Sequence, residues 1–165
     1  MPRVTFPTPL GLCAIAWHEA GLTLFELPGA TPHADDLGEP PPTIAGIIAR
    51  VQRHLTGHAE DFSDLHYDFS TVSEHDRRVL EATLAVKPGF TATYGDIATA
   101  IGETPTASRA VGAALGANRW PLLIPCHRIV AADGKMTGYS GPGGVVTKVR
   151  LLALEGAQLL SEGRA

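Results

Sequence analysis

Residues Pro121–Val130 read PLLIPCHRIV: an apolar run shaped like a buried strand, closed by Pro125, then Cys126, His127 and Arg128 in immediate succession. A thiol beside an imidazole suggests nucleophilic catalysis, because a free thiol of pKa about 8.5 is only a few per cent thiolate at neutral pH and needs a base. Neighbours in an extended chain point to opposite faces, however. Direct contact between Cys126 and His127 is therefore awkward, and a bridging water or a bend at residues 125–127 has to carry the proton. A neutral imidazole acting as base also wants an acceptor on its other nitrogen. Glu155, at the end of the last predicted helix, can fold back to supply it.

Working outward from this stretch, the second half of the chain reads as helical. Ser73 followed by Asp76 resembles a capping box opening a helix that Pro88 stops. Thr93 with Asp96 repeats the device for the short helix YGDIATAI. Gly102 breaks it, and Thr104 with Pro105 opens TASRAVGAALG, giving the helix–turn–helix pattern with Arg109 on a face otherwise made of Ala, Val and Gly. After the turn AADG comes KMTGYSGPGG, then a final helix VVTKVRLLALEG with Val145, Val149, Leu152 and Ala153 on its expected buried stripe. In the first half, Leu10–Leu27 shows β-type runs either side of HEAG, which reads as a hairpin. GATPHADDLGEPPP is a surface loop. Ile44, Ile47, Ile48, Val51 and Leu55 then fall at helical spacing, with Thr43 as expected cap and Gly57 as terminator. The fold class expected is a small N-terminal α/β domain (residues 1–71) packed on a mainly helical, winged-helix-like domain with a helix-turn-helix (72–157), followed by a tail (158–165).

The chain has 165 residues, 44% hydrophobic and 18% charged, with no apolar run long enough for a membrane span and no leader of the secretory type. Cys13 and Cys126 are the only cysteines, too few for a disulfide framework, so free thiols are expected. The net charge of −4 hides an asymmetry. Residues 1–74 carry three basic against ten acidic side chains, a net of −7, and residues 75–165 carry ten against seven, a net of +3. Such a split hints that one half meets a polyanion, though a solvated acidic domain beside a neutral one looks similar.

IPCHRIV, preceded by SRAVGAALGAN and followed by GYSG and KVRLLALEGA, resembles the signature of the O6-alkylguanine-DNA alkyltransferases, the methylated-DNA–protein-cysteine methyltransferases. The resemblance covers residues 72–157 strongly and the N-terminal unit loosely. It implies stoichiometric DNA repair, with an alkyl group passing from O6-alkylguanine, and O4-alkylthymine, in duplex DNA to Cys126. It implies His127 as base through a water, Glu155 orienting it, and Tyr139 donating to the guanine. Ser140 is expected to offer its backbone N–H near O6, and the carbonyls of Cys126 and Ile129 to accept from the exocyclic amine. Arg109 matches the finger that fills the extruded base's space, Tyr94 the aromatic against the 3′ phosphate, and Asn118 the tie between recognition helix and active-site loop. A small-residue face of Ala110, Ala113 and Ala114 lets the backbone approach the groove. Lys148 corresponds to a residue near the substrate loop, and Arg128 to one that holds the active-site loop by an ion pair. No cofactor is implied. A structural zinc, bound in some relatives by two cysteines and two histidines, is not expected, since the N-terminal half offers one cysteine. Most of the other histidines are expected at the surface. The resemblance further implies a monomer, in the cytoplasm of a prokaryote or the nucleus of a eukaryote.

Two departures from the family pattern stand out. YSGPGGVVTK, Tyr139–Lys148, is two residues longer than usual with Pro142 among the glycines, which puts the tolerated adduct size in question; one extra residue between Tyr94 and Arg109 falls in the turn. Two other functions compete: a non-reacting alkyltransferase-like damage sensor, against which Cys126 argues, and a cysteine hydrolase, against which the adjacency of His127 and the helix-turn-helix argue.

Overall fold

The computed structural model describes residues 2–133 and 144–157. The N-terminal part is a three-stranded antiparallel sheet, β1 (Arg3–Thr8), β2 (Gly11–His18) and β3 (Gly21–Glu26), in that order, with Ile15 paired to both Val4 and Phe25. Cys13, Ala14, Ile15 and Ala16 are all buried, so both faces of the central strand are covered. The expected hairpin is thus the β2–β3 pair, and a third strand precedes it. Pro2 and Pro7 mask that strand in the sequence; Pro7 is tolerated because β1 is an edge. Helix α1 (Pro42–His54) lays Ile44, Ile47, Ile48 and Val51 into the core. It starts two residues earlier than Thr43 suggested: Pro41 is the capping residue, no side chain caps the end, and Pro42 occupies a first-turn position whose missing N–H costs nothing. Gly57, at φ +97°, closes the other end, where the His58 N–H reaches the Arg53 carbonyl.

The second part begins with α2 (Glu74–Leu84), whose Ser73 side chain accepts from the Asp76 N–H. Strand β4 (Ala92–Thr93) leads into α3 (Tyr94–Ala100), opened by a reciprocal capping box between Thr93 and Asp96. A 3₁₀ turn at Pro105–Ala107 then joins α4 (Ser108–Gly116). The apolar run after α4 is buried as expected, but it is not a strand. Leu122 takes φ +79° and the Ile124 N–H bonds back to the Trp120 carbonyl, making a tight turn. Asn118 replaces the missing ladder: its Oδ1 accepts from the Trp120 N–H and its Nδ2 donates to the Ile124 carbonyl at 2.9 Å. Cys126–Arg128 form a second 3₁₀ turn, and β5 (Ile129–Val130) pairs in parallel with β4.

The last helix, α5 (Gly144–Leu154), is rotated from its expected orientation. Lys148, Leu151 and Leu152 face inward with Glu155, whereas Val145 and Ala153 are exposed. The buried stripe contains two charged residues, which a hydrophobicity count places outside. One continuous core joins both parts. Trp120 Nε1 donates to the Leu22 carbonyl, the Phe25 N–H to the Arg119 carbonyl and Arg119 Nε to the Thr23 carbonyl, so β3 is fastened to the turn behind α4. No helix among the described residues is long and apolar enough to cross a membrane.

Candidate active site and DNA-binding face

The 3₁₀ turn at 126–128 provides the bend that an extended PCHR could not. It places Cys126 at 8% exposure, buries His127 completely, and sends the Arg128 N–H back to the Pro125 carbonyl. All of it is organised around Glu155. Arg128 Nε donates to Oε1 at 2.9 Å and Nη2 to Oε2 at 2.8 Å, while Nη1 donates to the Val86 carbonyl. His127 Nε2 lies 2.8 Å from Oε2. Burial alone would raise the Glu155 carboxyl, but His127, Arg128 and His54 outweigh it and hold the group well below the usual carboxylate range. An ionised carboxylate only accepts, so His127 donates its Nε2 proton to it. The other ring nitrogen, Nδ1, is buried without a hydrogen-bond partner among the described residues, so no acceptor there holds a second proton. Burial pulls the His127 pKa below its ordinary value, against the opposing pull of Glu155. This is an imidazole held in the tautomer and charge state of a base.

Lys148 is 1% exposed and donates Nζ–H to the Ile129 carbonyl at 2.6 Å. Burial lowers its pKa, and the charge of Cys126 raises it, which puts ammonium and sulfur within electrostatic reach. The Ile129 carbonyl, one of the two expected acceptors, is thus already engaged on one lone pair.

Most N-terminal histidines lie at the surface as expected, and His54 is the exception. It is 1% exposed, and its Nε2 lies 2.9 Å from the same Glu155 Oε2 that takes the His127 proton. Its Nδ1 accepts from the Glu60 N–H at 2.9 Å. Position 54 is three residues beyond Val51 and seven beyond Ile47, so the stripe of α1 already pointed inward there.

On the other side of the turn, α4 exposes Arg109, Ala110 and Ala113. Ala114 does not share that exposure: it lies about 40° around the helix from Ala110, between it and Val111, and is buried with Val111 and Leu115. Tyr94 is half-buried at the start of α3 beside α4, where a Cβ on Gly112 would lie 3.9 Å from its ring. Tyr139 and Ser140, and with them the long glycine loop, lie outside the described residues, as does the tail 158–165. Among the described residues no three His, Cys, Asp or Glu side chains gather as a metal site would need. A cavity of about 650 Å³ bordered by Trp17, Ile44, Ile47, Arg50 and Asp64 belongs to the N-terminal part and shares no lining residue with Cys126.

Residues 74–157 match the family model described as 6-O-methylguanine DNA methyltransferase, DNA binding domain. The match spans both helices of the helix-turn-helix, the Cys126 turn and Glu155. The chain belongs to the methylated-DNA–protein-cysteine methyltransferase family. A methylated-DNA–protein-cysteine methyltransferase of Methanothermobacter thermautotrophicus is 36% identical over 92% of this chain and 83% of its own length. A Thermus thermophilus relative named DNA base-flipping protein is 35% identical over 92% of this chain and 97% of its own. The crystal structure of Mycobacterium tuberculosis OGT in complex with DNA superposes with a TM-score of 0.76 at 33% identity, covering 94% of this chain and 93% of that one. Membership of the methyltransferase family therefore extends through the N-terminal α/β part, and the expected fold class, an α/β unit against a helical unit, is the one observed.

Proposed function

We propose that this protein is a single-turnover DNA repair methyltransferase that takes alkyl groups from O6 of guanine, and from O4 of thymine, in duplex DNA onto Cys126. The observation that carries this is a sulfur on a rigid turn beside a buried, neutral imidazole whose bare Nδ1 can accept a proton while Glu155 holds Nε2. The Cys126 proton passes through a water to His127, and the sulfur attacks the alkyl carbon. The S–C bond forms as the C–O6 bond breaks, and the released pair stays on the guanine, which Tyr139 protonates; the His127 proton restores the tyrosine. The Ser140 N–H serves O6 as donor, and the carbonyls of Cys126 and Ile129 accept from the exocyclic amine, which selects guanine over adenine. Lys148 stabilises the developing thiolate electrostatically.

Presentation of the base falls to α3 and α4. Arg109 enters the stack, Tyr94 presses on the phosphate, and the small side chains of Ala110 and Ala113 admit the backbone into the shallow groove. Asn118, bonded to Ile124, ties that helix to the Cys126 turn. Extrusion costs a few kcal/mol, least for a damaged pair. Residues 72–157 form the reacting unit and 1–71 its support. The protein works as a monomer without cofactor, in the compartment that holds the DNA: cytoplasm in a prokaryote, nucleus in a eukaryote.

The test is to incubate the protein with a duplex containing O6-methylguanine and take its intact mass. A stoichiometric gain of one methyl, abolished by Cys126→Ser, is expected. The relative named DNA base-flipping protein keeps a second reading in play, a non-reacting damage sensor. Binding of the lesion with no change of mass would establish that one instead.

A further inference from the structure

Two imidazoles from opposite parts of the fold share one carboxylate oxygen. His54, at the end of α1, and His127, on the Cys126 turn, both reach Glu155 Oε2, at 2.9 and 2.8 Å. Residues 54 and 155 are 101 positions apart, and both rings are buried. The Glu60 N–H occupies His54 Nδ1, so Nε2 carries the proton and points at the carboxylate. Glu60 is itself held by Arg50 and Arg53, and the Phe62 ring stands 5.5 Å from the His54 ring. The titratable and charged groups that meet around this point are Glu155, His127 and Arg128 from the second part, and Arg50, Arg53 and Glu60 from the first.

We infer that His54 is a positioning residue for the chemistry of Cys126: by donating to Glu155 Oε2 it governs how tightly the carboxylate holds His127, and so how readily His127 Nδ1 takes the thiol proton. An ionised carboxylate spreads its charge over its donors. Glu155 has four, from Arg128 Nε and Nη2, His127 and His54. With the His54 bond removed, the charge falls more heavily on His127, and its imidazolium persists to higher pH. The N-terminal part thereby enters the reaction without touching the substrate. The inference rests on the proposed alkyl transfer for its biological meaning, but the acid–base coupling itself is readable without DNA.

The experiment compares wild type, His54→Phe, which keeps a ring and loses the donor, and His54→Gln, which keeps an N–H on a side chain of similar reach. Two rates are followed against pH: methyl transfer from an O6-methylguanine duplex, and alkylation of Cys126 by iodoacetamide, assigned by mass. The acid limb of both profiles is expected to move to higher pH in His54→Phe, lowering the rate about tenfold near pH 6 while the alkaline plateau stays; a charged hydrogen bond of this kind has that order of effect. His54→Gln is expected to return the limb toward wild type. An unchanged limb in His54→Phe, or a glutamine variant that follows the phenylalanine one, overturns the inference. If His54→Phe does not fold, ¹⁵N spectra of the histidines in wild type decide: an Nε2–H tautomer at His54 is required, and an Nδ1–H tautomer refutes it. A wild type that reacts with iodoacetamide but never with the duplex sinks the proposed function and leaves the coupling standing.

Discussion

Replacing Glu155 by glutamine changes one heavy atom and should damage both stability and reactivity. Three donors converge on Oε2, from His127, His54 and Arg128 Nη2, and one, Arg128 Nε, on Oε1. A glutamine can satisfy the crowded side only by placing its oxygen there, which turns its NH₂ group against Arg128 Nε, donor against donor. The buried Arg128 guanidinium also loses its counter-charge. Breaking one side of a buried pair costs about 3–5 kcal/mol. In a chain of 165 residues this corresponds to a fall of roughly 6–20 °C in Tm. Reactivity falls as well, because imidazolium formed at His127 during transfer no longer meets a carboxylate; removal of such an orienting charge costs on the order of 10²–10⁴-fold. Scanning calorimetry and single-turnover mass spectrometry read the two effects. A Glu155→Gln protein melting within about 2 °C of wild type, and reacting within about threefold of it, would show that the carboxylate is not the centre of the site.

Stability should fall as pH drops below 6.5, the ordinary histidine value. His127 has a depressed pKa when folded, so the unfolded chain takes up the proton first and stability is lost toward acid. Glu155 does not contribute there, since its stabilisation begins to fall only as pH drops below its ordinary value of 4.5; a Tm that is flat or rising between pH 7.5 and 5 contradicts the buried neutral ring. Gly21→Ala should destabilise by about 1–3 kcal/mol in a urea melt, because Gly21 sits at φ +128° and its Cβ would come within 2.7 Å of the His66 carbonyl oxygen; an unchanged midpoint would mean that the β2–β3 turn gives way freely. Arg109→Ala should slow methyl transfer from a fully paired duplex on the order of 10²-fold, and much less from a mismatched site whose base is cheap to extrude. Equal losses on both substrates would remove Arg109 from the stack.

The parts of the fold with a strong local signal were legible. The i, i+3, i+4, i+7 spacing of Ile44, Ile47, Ile48 and Val51 marks a half-buried helix, and Thr93 with Asp96 marks a helix start whatever lies around it. Glu155 could be chosen as the partner of His127 because a base needs an acceptor and one stood at a helix end. The turn at 121–124 was not legible, since a short apolar run has no period that separates strand from compact turn. Its shape depends on the Asn118 side chain closing both sides, a tertiary fact. The rotation of α5 was hidden because Lys148 and Glu155 read as surface residues until their partners, the Ile129 carbonyl and Arg128, are known. His54 was hidden for the same reason, although the phase of α1 carried the hint. Ala114 is ambiguous in the sequence because it sits one helical turn from exposed Ala110 at the margin of the core, and only packing decides that it is buried.

The pairing of Ala92 and Thr93 with Ile129 and Val130 is only two residues long, yet it joins the residue before Tyr94 to the strand that leaves the Cys126 turn. Asn118 adds a second strut from the far end of α4. On the proposed function, the part that opens the double helix and the atom that receives its adduct are thereby joined directly, through backbone pairing and one side chain. The base then travels to the thiol, and the search for damage becomes a question of how the duplex yields when pressed against that joined surface.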